Sequence, residues 1–230
     1  MQDYSYIKHN LEKIRENINN AKKSAPNDDE VTLLLATKYA TAEEINAAAE
    51  YGVCDIGENR VQQLLEKYDA LNKEKLNIHF IGTLQKNKVK YICDKVVMIH
   101  SVDSIELAKE IDRQCKKIGK VMDILVEVNI GDEESKSGVS ESEVCDLIRE
   151  ISSLDNVFVR GIMTMAPKCE EKEDFRKYFK ETYKIFLDIS TKNLHNISSR
   201  ILSMGMSDSY EVAVSEGATL VRVGRAAFEK

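Results

Sequence analysis

Four groups of residues stand where their chemical type conflicts with an ordinary structural setting. Lys38 follows the apolar run Val31-Thr-Leu-Leu-Leu-Ala-Thr37, a stretch that suits a parallel strand covered on both faces. Taken alone, a lysine at the carboxyl end of such a strand is best read as a solvated cation. Partly desolvated in a pocket, its pKa falls and the neutral amine becomes a nucleophile fit for Schiff-base formation. Arg222 lies inside Thr219-Leu-Val-Arg-Val-Gly224, and burying a guanidinium without an acceptor is very costly. A carboxylate partner and a ligand explain it about equally well. Arg160, in Phe158-Val-Arg-Gly161, poses the same question early in a strand, and there a salt bridge is expected.

The third group is Ser203-Met-Gly-Met-Ser-Asp-Ser209 together with Gly224-Arg225, where small residues turn a strand into a helix. Free backbone N–H groups and the positive helix end favour an anion there, although turn and capping chemistry from Ser207 and Asp208 accounts for the same residues. The fourth is a pair of polar clusters, Gly57-Glu-Asn-Arg-Val-Gln62 and His79-Phe-Ile-Gly-Thr-Leu-Gln-Lys-Asn-Lys88. Each follows a strand, so both reach the same rim. Helix capping explains some of these residues, but not the crowd of amides and charges after two successive strands.

Other chemistries find no support. There is no GxxxxGK[ST] phosphate loop, no GxGxxG turn and no HExxH metal pair. Gly205-Met-Ser-Asp-Ser209 falls one glycine short of a nucleophile elbow. His9, His79, His100 and His195 lack metal-ligand spacing and read as surface or satisfied core groups. The cysteines (Cys54, Cys93, Cys115, Cys145, Cys169) are odd in number and scattered, with no CxxC pair, so reduced thiols in a cytoplasmic protein are expected.

A scaffold that brings these groups together is visible in the periodicity. Ile7, Leu11, Ile14 and Ile18 mark an amphipathic helix over residues 4–22. Strand-like runs follow at 31–37, 53–56, 77–81, 95–99, 121–128, 157–165, 200–203 and 219–223, each leading into a helical pattern. Thr41 with Glu44, Asp103 with Glu106 and Asp208 with Glu211 are the expected helix caps. A polar loop, Gly131-Asp-Glu-Glu-Ser-Lys-Ser-Gly138, follows the fifth strand. Two prolines and no low-complexity stretch leave no domain boundary. About eight strand–helix units in 230 residues predict a single α/β domain, residues 1–230, folded as a (β/α)8 TIM barrel with an extra N-terminal helix. An open doubly wound sheet has the same alternation and stands as the alternative. In a barrel the carboxyl ends of the strands form the active-site face, and phosphate sites commonly follow strands seven and eight.

With 43% hydrophobic and 31% charged residues the chain has an ordinary globular composition. Its formal charge of −6 lacks the positive field that nonspecific nucleic-acid binding needs. Apolar runs stay far short of the ~20 residues of a bilayer span, and the N-terminus has no apolar signal region. No nucleic-acid partner, no membrane, a cytoplasmic location and a monomer are therefore expected.

An amine on the first strand, an anion cradle after strands seven and eight, and an arginine between them suggest one ligand: pyridoxal 5′-phosphate (PLP). Its aldehyde would condense with Lys38, its phosphate would sit at the Ser203 and Gly224 turns, and Arg222 would reach its ring nitrogen. The sequence resembles the PLP homeostasis protein family, single-domain proteins similar to the N-terminal barrel of alanine racemase. Ala36-Thr-Lys38, Gly57-Glu-Asn-Arg60, His79 to Lys88, Gly161-Ile-Met-Thr-Met-Ala-Pro167, Leu202 to Asp208 and Val221-Arg-Val-Gly224 carry the resemblance in the family's order. It implies that Lys38 forms the Schiff base, that Arg222 faces the pyridine nitrogen, that Ser203, Ser207 and Gly224 contact the phosphate, and that Asn59 lines the pocket. Two departures bear on the phosphate: Arg225 stands where relatives usually have Thr or Ser, and the Ala227-Phe-Glu-Lys230 end is shorter than the usual Phe-Gly tail.

Two function classes follow. One is a protein that holds PLP as a Schiff base and buffers or delivers it, with PLP-dependent apoenzymes as recipients and no strong catalysis of its own. The other is a PLP-dependent amino-acid racemase. An arginine donating to the ring nitrogen keeps that nitrogen largely unprotonated and weakens the electron sink. A racemase also needs two opposed acid/base groups. The resemblance assigns one of these to a second domain, expected to be absent because the sequence ends just past the eighth strand. The carrier is therefore the expectation. A pure interaction module explains neither the lysine nor the anion turns.

Overall fold

The buried stripe Ile7, Leu11, Ile14 and Ile18 forms one face of the first helix, α1 (Ser5–Lys22). The computed structural model describes residues 3–131, 137–192 and 194–230, so the middle of the polar loop after the fifth strand, residues 132–136, lies outside the described residues. The apolar run after α1 becomes β1 (Thr32–Ala36). A reciprocal capping box then starts α2 (Ala42–Glu50): the Glu44 amide donates to Thr41 Oγ1 at 3.2 Å and the Thr41 amide to Glu44 Oε2 at 2.9 Å. The alternation continues with β2 (Asp55–Glu58), α3 (Val61–Tyr68), β3 (Asn77–Phe80), a 3-10 turn (Lys86–Tyr91), β4 (Met98–Val102) and α4 (Ile105–Lys117). After these come β5 (Met122–Val128), α5 (Glu141–Ile151), β6 (Val157–Thr164), α6 (Phe175–Ser190), β7 (Ile197–Ser203), α7 (Tyr210–Ser215), β8 (Leu220–Val223) and α8 (Arg225–Phe228).

Each strand pairs in parallel with the next, and β8 returns to β1 with Arg222 opposite Leu34. That closure makes the fold a (β/α)8 barrel and removes the open sheet. The extra helix α1 packs against α7 and α8.

Some boundaries differ from the sequence expectation. The second strand starts at Asp55 rather than Val53, because the Val53 amide still bonds back to Ala48 O of α2 at 3.2 Å. The fourth starts at Met98 rather than Lys95, since Lys95 and Val96 donate to Ile92 O and close the preceding turn. Neither Asp103 nor Asp208 caps a helix: the N-cap positions are Ser104 and Ser209, and neither has a side-chain cap bond. Arg160 Nε pairs with Asp123 at 2.9 Å, the salt bridge expected of it.

Strand side chains alternate between two environments. Leu35, Ile56, Phe80 and Val126 join the layer between barrel and helices. Leu34, Ile81 and Leu220 form one cluster inside the barrel, and Met98, Leu125 and Met163 another, with Ile201 touching both. Between these clusters the interior is polar. His100 of β4 lies 3.4 Å from Ser203 of β7, and since those strands are not neighbours, the contact crosses the lumen. The five cysteines are free. Among the described residues no helix is long and apolar enough to cross a membrane, and no cluster of side chains suits a metal ion.

Candidate functional site at the mouth of the barrel

Lys38 follows the end of β1 by two residues. Leu34 and Ala36 belong to the interior cluster, and the chain then turns, with the Ala40 amide bonding back to Thr37 O, which leaves Lys38 at the rim. Thr37 takes the opposite side. Its Oγ1 donates to the buried Glu58 Oε1 at 2.7 Å, and Lys67 of α3 donates to Thr37 O and Glu58 Oε1 at 2.8 and 2.9 Å. This outer ion pair fastens the ends of β1 and β2 to α3. Lys38 itself is exposed, with Nζ 4.6 Å from the Tyr39 ring centre. The residue stands beyond the last pairing of β1 with β2.

Lys38 borders a cavity of about 470 Å³, along with Asn59, Arg60, Gln63, Glu127 and Met165. Glu127 is 4% exposed. Burial pushes its carboxyl above the usual value even though Ser137 Oγ donates to Oε1 at 2.8 Å. Its Oε2 is buried without a partner, as are Asn59 Oδ1 and Gln63 Oε1. Buried acceptors are normally satisfied, so three such atoms from side chains that line one cavity mark it as a place for polar atoms from outside the chain. Gly82 holds this wall close: a Cβ there would meet Asn59 O at 2.0 Å.

Arg222 is buried on β8. Its Nη1 donates to Ser203 Oγ at 2.6 Å and its Nη2 to Thr164 O at 2.8 Å. Burial pushes its pKa down to about 10, with the Glu127 carboxylate opposing the shift, so it remains a cation near neutrality. The bland reading of this arginine, a salt bridge, is incomplete: its hydrogen-bond acceptors are neutral oxygens.

The turns after β7 and β8 are joined through Ser207, whose Oγ accepts from the Gly224 amide at 3.2 Å and the Ala226 amide at 3.4 Å. Gly224 lies against β1, where a Cβ would come within 2.9 Å of Ala36 O. Arg225, the departure from the family pattern, pairs with Asp208 across the same two turns, so its charge is already matched. Ser203, expected to contact the phosphate, stands deeper. It is fully buried, and its hydroxyl lies between Arg222 and His100 inside the barrel.

The structure therefore brings Lys38 and Asn59 to one cavity, Arg222 and Ser203 to one buried pair, and Ser207 and Gly224 to one turn. Glu127 and Thr164 were not singled out in the sequence. Glu127 carries the signal that marked Arg222, a charged residue flanked by valines in a strand. Thr164 acts through its carbonyl and has no such signal.

The family model of the alanine racemase N-terminal domain matches residues 9–229. A pyridoxal phosphate homeostasis protein of Aquifex aeolicus is 42% identical over 219 residues, 95% of each chain. Among solved structures, an unknown protein from Bifidobacterium adolescentis superposes with a TM-score of 0.93 at 32% identity, covering 99% of this chain and 97% of that one. PipY of Synechococcus elongatus with PLP bound superposes with a TM-score of 0.83 at 28% identity, covering 96% and 99%. On this evidence the chain belongs to the pyridoxal phosphate homeostasis protein family and carries the alanine racemase N-terminal domain.

Proposed function

We propose that the protein holds pyridoxal 5′-phosphate at the mouth of the barrel and serves PLP homeostasis by buffering or delivering it. The observation that carries this reading is the joining of three chemistries across neighbouring strands. Lys38 presents a primary amine at the end of β1 beside a cavity with orphaned acceptors. Arg222 lies buried on the adjoining β8, and the Ser207–Gly224 turn packs against Ala36 of β1. When bound, PLP supplies an aldehyde that condenses reversibly with an amine and a ring that withdraws electrons.

Each residue then has a task. Lys38 carries the aldehyde as a Schiff base. Asn59 lines the pocket beside it. The Ser207 hydroxyl and Gly224 amide meet the phosphate, and Arg222 donates to the ring nitrogen, with Ser203 supporting it from below. A donor-only cation at that nitrogen leaves it unprotonated, which disfavours racemase chemistry and suits a holder of the cofactor. The recipients in this reading are PLP-dependent apoenzymes, and the protein works as a cytoplasmic monomer without nucleic-acid or membrane partners.

Equilibrium binding with absorbance detection tests the proposal. The parent protein should bind PLP and develop a Schiff-base band, and Lys38→Ala should lose that band. A band of full strength in Lys38→Ala would place the linkage on another amine.

A further inference from the structure

A row of five side chains crosses the barrel interior from end to end. Asp55, the first residue of β2, accepts from His79 Nε2 at 3.1 Å, and its Oδ1 also accepts from Asn77 Nδ2 at 3.1 Å. His79 Nδ1 is 2.9 Å from His100 Nε2, and His100 Nδ1 is 3.4 Å from Ser203 Oγ. Ser203 Oγ in turn accepts from Arg222 at 2.6 Å. His79 is 5% exposed, and His100 and Ser203 are fully buried. No atom of the row is among the buried polar atoms without a partner.

The two ends of the row fix the direction of everything between them. A guanidinium can only donate, and an ionised carboxylate can only accept. Burial pushes the Asp55 carboxyl up, but the hydrogen bonds from His79 and Asn77 outweigh it and leave it below the usual range. Burial, with the nearby charge of Arg222, pushes His100 well down, so its ring is neutral. With one proton on each imidazole ring, the acceptor-only carboxylate leaves one arrangement: His79 Nε2 donates to Asp55, His100 Nε2 to His79 Nδ1, Ser203 to His100 Nδ1, and Arg222 to Ser203.

We propose that Asp55, at the N-terminal end of the barrel, is a positioning residue for Arg222, acting through His79, His100 and Ser203. Its carboxylate orders every proton in the row, so that the Ser203 proton is committed to His100 and the hydroxyl oxygen is fixed facing Arg222. The guanidinium is thereby held in one place, with its remaining N–H groups directed to the ligand. Such a row polarises in one sense, and each bond strengthens the next. A carboxylate remote from the mouth thus influences how the cofactor ring is held. The proposal rests on the reading that Arg222 faces the ring nitrogen.

Ring 15N NMR of the cofactor-free protein tests the ordering without any ligand. His79 and His100 should each carry a single ring proton, on Nε2. In Asp55→Asn the acceptor-only end is lost and the two tautomers should mix. A charged His79 or His100, a proton on His100 Nδ1 in the parent, or unchanged tautomers in Asp55→Asn would overturn the proposal. The parent measurement stays decisive even where a variant folds poorly.

PLP titration tests the cofactor end. Asp55→Asn and His79→Gln should each shift the bound-cofactor absorbance and weaken binding about two- to fivefold, and the double variant should lose little more than either single one. Additive losses, or a spectrum and affinity identical to the parent's in both variants, would overturn it. Failure of the underlying reading registers separately, as Arg222→Gln protein with the parent's spectrum and affinity while the histidine tautomers remain ordered; that result would overturn the cofactor end.

Discussion

Arg222 and Glu127 show how two buried charges are tolerated at the rim of one barrel. The guanidinium has neutral oxygens as hydrogen-bond acceptors, and the Glu127 carboxylate on β5 compensates its charge. Replacing it with glutamine keeps some hydrogen-bonding capacity and removes the charge. Arg222→Gln should alter the absorbance of bound PLP and weaken its retention about tenfold or more, the scale of one charge-assisted hydrogen bond; an unchanged titration would make Arg222 purely structural. Glu127 pays a desolvation penalty, because burial raises its carboxyl above the usual value. A carboxyl with a raised folded pKa costs stability above that pKa, and the cost is relieved as pH falls through it towards the unfolded value. Cofactor-free Glu127→Gln should therefore resist denaturant better than the parent at pH 7, with the gap closing as the solution is acidified towards pH 4. A gap that widens on acidification would contradict this. Lys38 and Arg222 were legible as residue types, because each breaks an apolar run. The exposure of Lys38 and the orphaned oxygens around its cavity were not, since both depend on side chains from β2, β5 and α3 that approach only in the folded barrel.

At the scale of the elements, position within a strand decides function. The two-residue period puts Leu34 and Ala36 on the interior side while Thr37 turns outward to Glu58 and Lys67. A one-residue slip would exchange them. On β2 the same alternation turns Asp55 and Gly57 inward, where Asp55 meets His79 and Gly57 lies against Leu34 and Ile81. Strand existence was readable from apolar runs. The start of β4 was not, because Lys95 and Val96 complete a turn through backbone bonds that leave no mark on the apolar pattern. The histidines read as surface or satisfied core groups; His79 and His100 are buried and hydrogen-bonded, but their partners come from different strands and only closure of the barrel identifies them. Gly82 carries a testable demand of this kind, since its backbone passes close to Asn59. Gly82→Ala should cost about 1–3 kcal/mol of stability through overpacking, seen as a melting temperature lower by roughly 2–10 °C. A melting temperature equal to the parent's would mean that the rim yields without cost.

For the whole molecule, closure of eight parallel strands makes a site out of residues that are distant in sequence. Lys38 and Arg222 are near opposite ends of the chain, yet they stand on hydrogen-bonded strands because β8 returns to β1. The polar interior follows from the same closure, with His100 and Ser203 meeting across the lumen. The rhythm of strand and helix already implied this architecture, whereas the choice between a closed barrel and an open sheet awaited the pairing of β8 with β1. The central claim is that one amine at the mouth of this barrel carries the cofactor. Borohydride reduction of the PLP-loaded protein, followed by peptide mass mapping, tests it most directly. A single reduced pyridoxyl phosphate adduct on the peptide containing Lys38 is the predicted result. An adduct on a different lysine, or none after loading, would contradict it.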